Sequence, residues 1–174
     1  MYRLLLFVFF LVAGNTFGQK IVFPMKDSAI VFTELVENKS LNKAAMYKNV
    51  KVWFAEYFNS AKDVLQMDDK ELGIILGKGL GTFDIKLAGG TSVGIKWTIK
   101  VETKDNKCKM TVYDIQTSVG EGSQYVGIEY GYDGYLHKDT PEGFNEIMEG
   151  IYLKTRQLIE SFKSKIQKAD STDF

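Results

Sequence analysis

Residues 94–114 read Gly-Ile-Lys-Trp-Thr-Ile-Lys-Val-Glu-Thr-Lys-Asp-Asn-Lys-Cys-Lys-Met-Thr-Val-Tyr-Asp. Trp97, Ile99 and Val101 alternate with Lys96, Thr98, Lys100 and Glu102, a period of two that belongs to a strand with one buried face. Asp105-Asn106 interrupts the alternation and suits a two-residue hairpin turn. That turn sets Lys104 opposite Lys107, Glu102 opposite Lys109, Val101 opposite Met110 and Ile99 opposite Val112. One register therefore gives an opposite-charge pair on one face and apolar pairs on the other. An antiparallel sheet with a wet face and a covered face is the expectation.

The neighbouring segments extend this sheet. Ala29–Glu37 is β-branched and apolar, Val64–Asp68 is a short strand, and Leu72–Leu87 is a long one. Asp68-Asp69-Lys70 and Ala88–Ser92 carry turn chemistry between them. From Leu41 to Ser60 the apolar residues Met46, Val50, Trp53, Phe54 and Tyr57 trace one helical face, with Ser40 as the expected N-cap and Asn59-Ser60 as the end. A second helix begins at Thr140-Pro141-Glu142, with Thr140 as N-cap and Pro141 at the first helical position. It runs through Phe144, Ile147, Met148, Ile151, Leu158, Ile159, Phe162 and Ile166, with glutamates early and lysines late, as the helix dipole favours. Gly120–Lys138 reads as a long loop or irregular strand. The fold class expected is α+β: a single antiparallel sheet with two helices on one face, in the order β-α-β-β-β-β-α. Trp53, Trp97, Ile99 and Met148 should share its core.

Composition bounds the function. The chain has 174 residues, which favours one domain, and balances 22 basic against 22 acidic side chains. That balance excludes a strongly basic nucleic-acid binder. One cysteine excludes an internal disulfide framework, and one histidine excludes a multi-histidine site. Arg3, the apolar run Leu4–Ala13 and the small residues Thr16 and Gly18 have the layout of a secretory signal peptide, with cleavage expected between Gly18 and Gln19. The run is ten residues, whereas a membrane span needs about 20. The expected organisation is a signal peptide at 1–18, one domain at 19–168 and a frayed tail at 169–174, in a periplasmic or secreted protein.

A longer pattern runs from Leu41 to Gly79. It contains Leu-Asn-Lys-Ala-Ala-Met-Tyr, then Val-Trp-Phe-Ala-Glu-Tyr-Phe, then Val-Leu-Gln-Met-Asp-Asp-Lys-Glu-Leu-Gly-Ile-Ile-Leu-Gly-Lys-Gly. With Tyr47, Trp53, the Asp/Glu turn, Gly77-Lys78-Gly79 and the Trp97 strand, the chain resembles a family of exported Bacteroidetes proteins, a domain of unknown function with a TBP-like fold. The resemblance spans roughly residues 28–117, with the C-terminal helix as a partner of the sheet. It implies a TBP-like fold and export in a Gram-negative cell, and it implies no activity.

Residues that could carry chemistry are few. His137 stands alone without a motif and reads as a surface residue. Cys108 shares the inward parity of Met110 and Val112 and reads as core. Asp68, Asp69 and Glu71 lack the ligand spacing of a calcium loop and read as a solvated turn. Gly77, Gly79 and Gly81 lack the spacing of a phosphate loop. They share the inward parity of a strand and should leave a smooth strip for bulky residues such as Trp53. Lys96, Lys100, Lys104, Lys107 and Lys109 crowd one hairpin face and read as edge lysines that block sheet-to-sheet association. No catalytic residue, metal ligand or cofactor site is expected. Tyr125, Tyr130, Tyr132 and Tyr135, interleaved with Gly127, Gly131 and Gly134, are the candidate partner-binding residues. The functional expectation is a non-catalytic binding or interaction module for an unknown protein or envelope component, with no nucleic-acid partner and no membrane span once the leader is removed. The alternative is a carrier that holds a small apolar ligand between helix and curved sheet, in room left by the glycine strip.

Overall fold

The structure is a computed structural model that describes residues 20–58, 64–86, 90–137 and 141–170. Its strands are β1 (Met25–Lys26), β2 (Ala29–Ile30), β3 (Phe32–Glu37), β4 (Leu65–Asp69), β5 (Ile74–Ile85), β6 (Thr91–Lys104), β7 (Lys107–Val119) and β8 (Val126–Gly127). Its helices are α1 (Lys43–Phe58), α2 (Glu129–His137) and α3 (Glu142–Lys168). The main sheet runs β3-β7-β6-β5-β4, with the short β8 also paired to β7. Every strand pair is antiparallel. The signal peptide with its cut at Gly18, the helix end at Asn59-Ser60, the Thr140 cap and residues 171–174 of the tail lie outside the described residues.

The β6–β7 hairpin has the register that its alternation requires. Lys104 pairs with Lys107, Glu102 with Lys109, Val101 with Met110 and Ile99 with Val112. Asn106 takes a positive φ of 63°, which asparagine tolerates better than most residues. The turn also clasps the β3–α1 connection. Asn106 donates its backbone N–H to Leu41 O and accepts from Asn38 N, while Asp105 Oδ1 accepts the Lys43 N–H at 2.7 Å.

Several elements differ from the sequence reading. The expected strand Ala29–Glu37 divides at Val31, whose N–H bonds Pro24 O, into β2 and β3, and the entry segment adds β1, turned back onto β2 through Asp27 and Ser28 at positive φ. The cap of α1 is Asn42, whose Oδ1 accepts the Ala45 N–H at 2.9 Å; Ser40 instead donates its own N–H to Asn38 Oδ1. Pro141 sits at the N-cap of α3, so the helix begins one residue later than expected. Residues 129–137, read as loop, form α2, so three helices accompany the sheet. Ala169 is buried and its carbonyl accepts a 2.8 Å bond from Asn38 Nδ2, so the chain is still anchored at 169. The lysine-bearing strands β6 and β7 lie inside the sheet, so Lys96, Lys100, Lys104, Lys107 and Lys109 mark its outer face and not its edges.

The helices α1 and α3 cover one face. Trp53, Trp97, Ile99 and Met148 are all buried in the same cluster. Each indole N–H finds a hydroxyl on α3: Trp97 Nε1 donates to Thr155 Oγ1 at 2.9 Å and Trp53 Nε1 to Ser161 Oγ at 3.2 Å. The Thr155 hydroxyl in turn donates a hydrogen bond to Ile151 O. Among the described residues no buried side-chain nitrogen or oxygen is left unpartnered, as low-dielectric interiors require.

Gly77, Gly79 and Gly81 face inward, and aromatic rings rest on them. A Cβ on Gly77 would lie 2.7 Å from Phe54 and one on Gly81 2.6 Å from the Trp97 ring, while Phe58 covers Gly79. The occupants are therefore Phe54, Phe58 and Trp97, with Trp53 one position aside, stacked on Tyr57 and edge-on to Phe162. Gly79→Val should cost about 1–3 kcal/mol through collision with Phe58. Trp53→Ala should cost about 3–5 kcal/mol, the range for a truncated core aromatic. Urea titration of the two variants checks both, and a loss below about 1 kcal/mol for either would remove it from the core.

Candidate functional site

The tyrosine segment folds into β8 and α2, and its side chains divide between interior and surface. Tyr132 and Tyr135 form the buried stripe of α2, continued four residues back by the buried Ile128 just before the helix. Tyr132 Oη accepts the Phe23 N–H at 2.6 Å, and Tyr135 Oη accepts the Ile21 N–H at 2.8 Å. Glu129 Oε1 accepts the Ile30 N–H, and Lys20 Nζ donates to Tyr135 O. Phe23 lies edge-on to Tyr132, with ring centroids 5.2 Å apart. Burial pushes the Tyr135 hydroxyl above its ordinary pKa. These two tyrosines hold the N-terminal segment against α2 and leave no ring for a partner. The glycine at 131 serves the same junction, since a Cβ there would meet Phe144 of α3 at 2.7 Å.

The other two tyrosines differ. Tyr125 lies half-buried on the outer face of the sheet, where Lys96 Nζ stands 3.7 Å from its ring centroid. Tyr130 is 98% exposed and Val126 57% exposed, and the two line one shallow depression with Gly127 and Glu129. Of the four candidate contact residues, the structure leaves Tyr130 fully free and Tyr125 partly so.

No catalytic group is assembled around the remaining candidates. Cys108 is buried, and burial pushes its thiol up to about 12, which withholds the thiolate. His137 and Asp133 stand 3.6 Å apart on the exposed side of α2. Asp68 accepts hydrogen bonds from Lys51 and Tyr47, which hold its carboxyl below the usual range; Asp69 caps the turn by accepting the Leu72 N–H. Among the described residues no cluster of His, Cys, Asp and Glu could hold a metal ion. A groove of about 580 Å³ lies between α1 and α3, bridged by the Glu56–Lys165 ion pair and by the Trp53–Ser161 hydrogen bond.

The outer face of the sheet carries the hairpin lysines in rows. Glu102 accepts from Lys109 at 2.7 Å and from Lys100 at 3.2 Å, and these ammonium groups, Lys109 foremost, lower its pKa. No helix among the described residues is long and apolar enough to cross a membrane.

Sequence and fold both match a known family. The model of DUF4468, a domain of unknown function with a TBP-like fold, matches residues 32–118. The chain belongs to the DUF4468 family. A DUF4468 family protein from Bacteroides ovatus superposes with a TM-score of 0.68 at 16% identity, over 86% of this chain and 92% of that one. A TBP-like protein from Parabacteroides distasonis superposes with a TM-score of 0.69 at 14% identity, over 84% of this chain and 98% of that one. At such identities the likeness establishes the fold alone. Comparison with curated proteins finds no match.

The division of the tyrosines is testable by stability. Tyr132→Phe strands the buried Phe23 N–H and should cost about 1–3 kcal/mol. Tyr130→Ala removes an exposed ring and should change stability by no more than about 0.5 kcal/mol. Chemical denaturation of both variants reads the difference; equal losses would mean that Tyr130 is also a core residue. Native Cys108 should resist alkylation until the protein unfolds, and rapid labelling would contradict its burial.

Proposed function

We propose that this DUF4468 protein is an exported, non-catalytic interaction module that contacts an envelope protein through the β8–α2 corner. The observation that carries the reading is the Tyr130 ring, 98% exposed beside the exposed Val126. A ring that gives the fold nothing is suited to contact: it offers large area, one hydroxyl and little side-chain entropy to lose. The buried, protonated Cys108 thiol and the solvent-exposed setting of the His137–Asp133 pair support the non-catalytic part. Arg3, Leu4–Ala13 and the small residues before Gln19 support export. The glycine strip lends no support to an apolar-ligand carrier, because Phe54, Phe58 and Trp97 fill the room it leaves.

The test is site-specific photo-crosslinking in the native host, with the probe placed at residue 130 and, as control, at the exposed Leu153 of α3. A discrete crosslinked band from 130, absent from 153, is the expected result. Val126→Asp should remove that band without changing the melting temperature. Identical crosslinking from both positions, or none from 130, would refute the proposed surface.

A further inference from the structure

The two ends of the main sheet are finished differently. At one end, β4 is a short strand of five residues, its register with β5 slips between Leu65 and Met67, and it carries Asp68 and Asp69. A short, bulged, charged strand is how folds keep an edge from accepting another strand. At the other end, β3 keeps unbroken register with β7 across six residue pairs, from Phe32–Val112 to Glu37–Lys107. Its sequence Phe-Thr-Glu-Leu-Val-Glu contains no proline, glycine or lysine. Among the described residues no strand pairs with its far side. The lysines that could guard it lie instead on the outer face of β6 and β7.

The side chains of β3 are arranged for an added strand. Phe32 and Val36 are buried in the core, and Glu34 is paired to Lys163 of α3 at 3.2 Å. Thr33, Leu35 and Glu37 project from the outer face, and Leu35 is 57% exposed. We infer that β3 pairs antiparallel with the β3 of a second copy of this chain, about a two-fold axis at Leu35.

The choice of axis follows from charge and parity. Two antiparallel copies keep their buried and outer faces aligned only when directly opposed residues share parity. An axis at Glu34 would set two carboxylates directly opposite each other, which is unfavourable. An axis at Val36 would set the apolar Leu35 against the partner's Glu37. With the axis at Leu35, the two leucines meet, Thr33 meets the partner's Glu37, and Glu34 meets the partner's Val36. Across the joined outer face, the row through Leu35 then reads Lys109, Leu35, the partner's Leu35, the partner's Lys109. The row through Thr33 reads Thr111, Thr33, the partner's Glu37, the partner's Lys107. No like charges stand directly opposite in either row, and the exposed leucine gains its apolar cover from the copy itself.

The test combines hydrodynamics with crosslinking on the protein purified after expression of the full chain. Analytical ultracentrifugation should show a concentration-dependent dimer, and Leu35→Lys should convert it to monomer with an unchanged circular dichroism spectrum. Leu35→Cys should form a covalent dimer under mild oxidation, since the axis brings residue 35 against itself; the buried Cys108 does not compete. Leu80→Cys, comparably exposed but on β5, should form no covalent dimer under the same oxidation. A monomer at every concentration, a dimer that survives Leu35→Lys, or equal crosslinking from positions 35 and 80 would overturn the inference.

Discussion

The contact between aromatic rings and the glycines of β5 sets the spacing of the whole molecule. Because Gly77, Gly79 and Gly81 present no side chain, Phe54 and Phe58 of α1 and Trp97 of β6 come down onto the strand itself. The helices then lie close enough for α3 to meet both indoles with Thr155 and Ser161. Dispersion in such a layer depends on near-complete filling, and small gaps forfeit much of it. For the proposed function this favours a partner met on the surface, because Phe54, Phe58 and Trp97 occupy the room over the glycine strip.

How much of this was legible depended on how local the signal is. The β6–β7 hairpin was readable residue by residue because its strands are neighbours in sequence and share one two-residue turn. The buried faces of α1 and α3 were readable from helical spacing, as was the inward parity of the β5 glycines. The order of strands was not, because it depends on β3 pairing with β7 across some seventy intervening residues. That missing piece is why the hairpin lysines looked like edge guards when they occupy the middle of the sheet. Helix α2 escaped for another reason. Tyr132 and Tyr135, with Ile128 just before the helix, have the correct spacing, but Gly131 and Gly134 weaken helix propensity, and the need for Gly131 appears only once Phe144 is seen against it.

The candidate site was legible as a segment and not as a set of roles. Tyrosine density marked 125–135, but density cannot say which hydroxyl meets a backbone N–H of the N-terminal segment. Tyr132 and Tyr135 do so, and their burial turns a possible contact surface into an internal clamp. Tyr130 lies on the opposite side of the same helix and keeps its exposure. Cys108 and His137 lie where parity and context place them, the first buried in the core and the second exposed on α2 beside Asp133.

The proposed function rests on the rings that fill the room over the β5 glycines, which favours contact on the outside. Native mass spectrometry of the protein isolated from its host, under conditions that preserve bound small molecules, tests it most directly. The account predicts the mass of the polypeptide alone, as subunit or as assembly of subunits. A retained apolar molecule, released only when the protein unfolds, would contradict it.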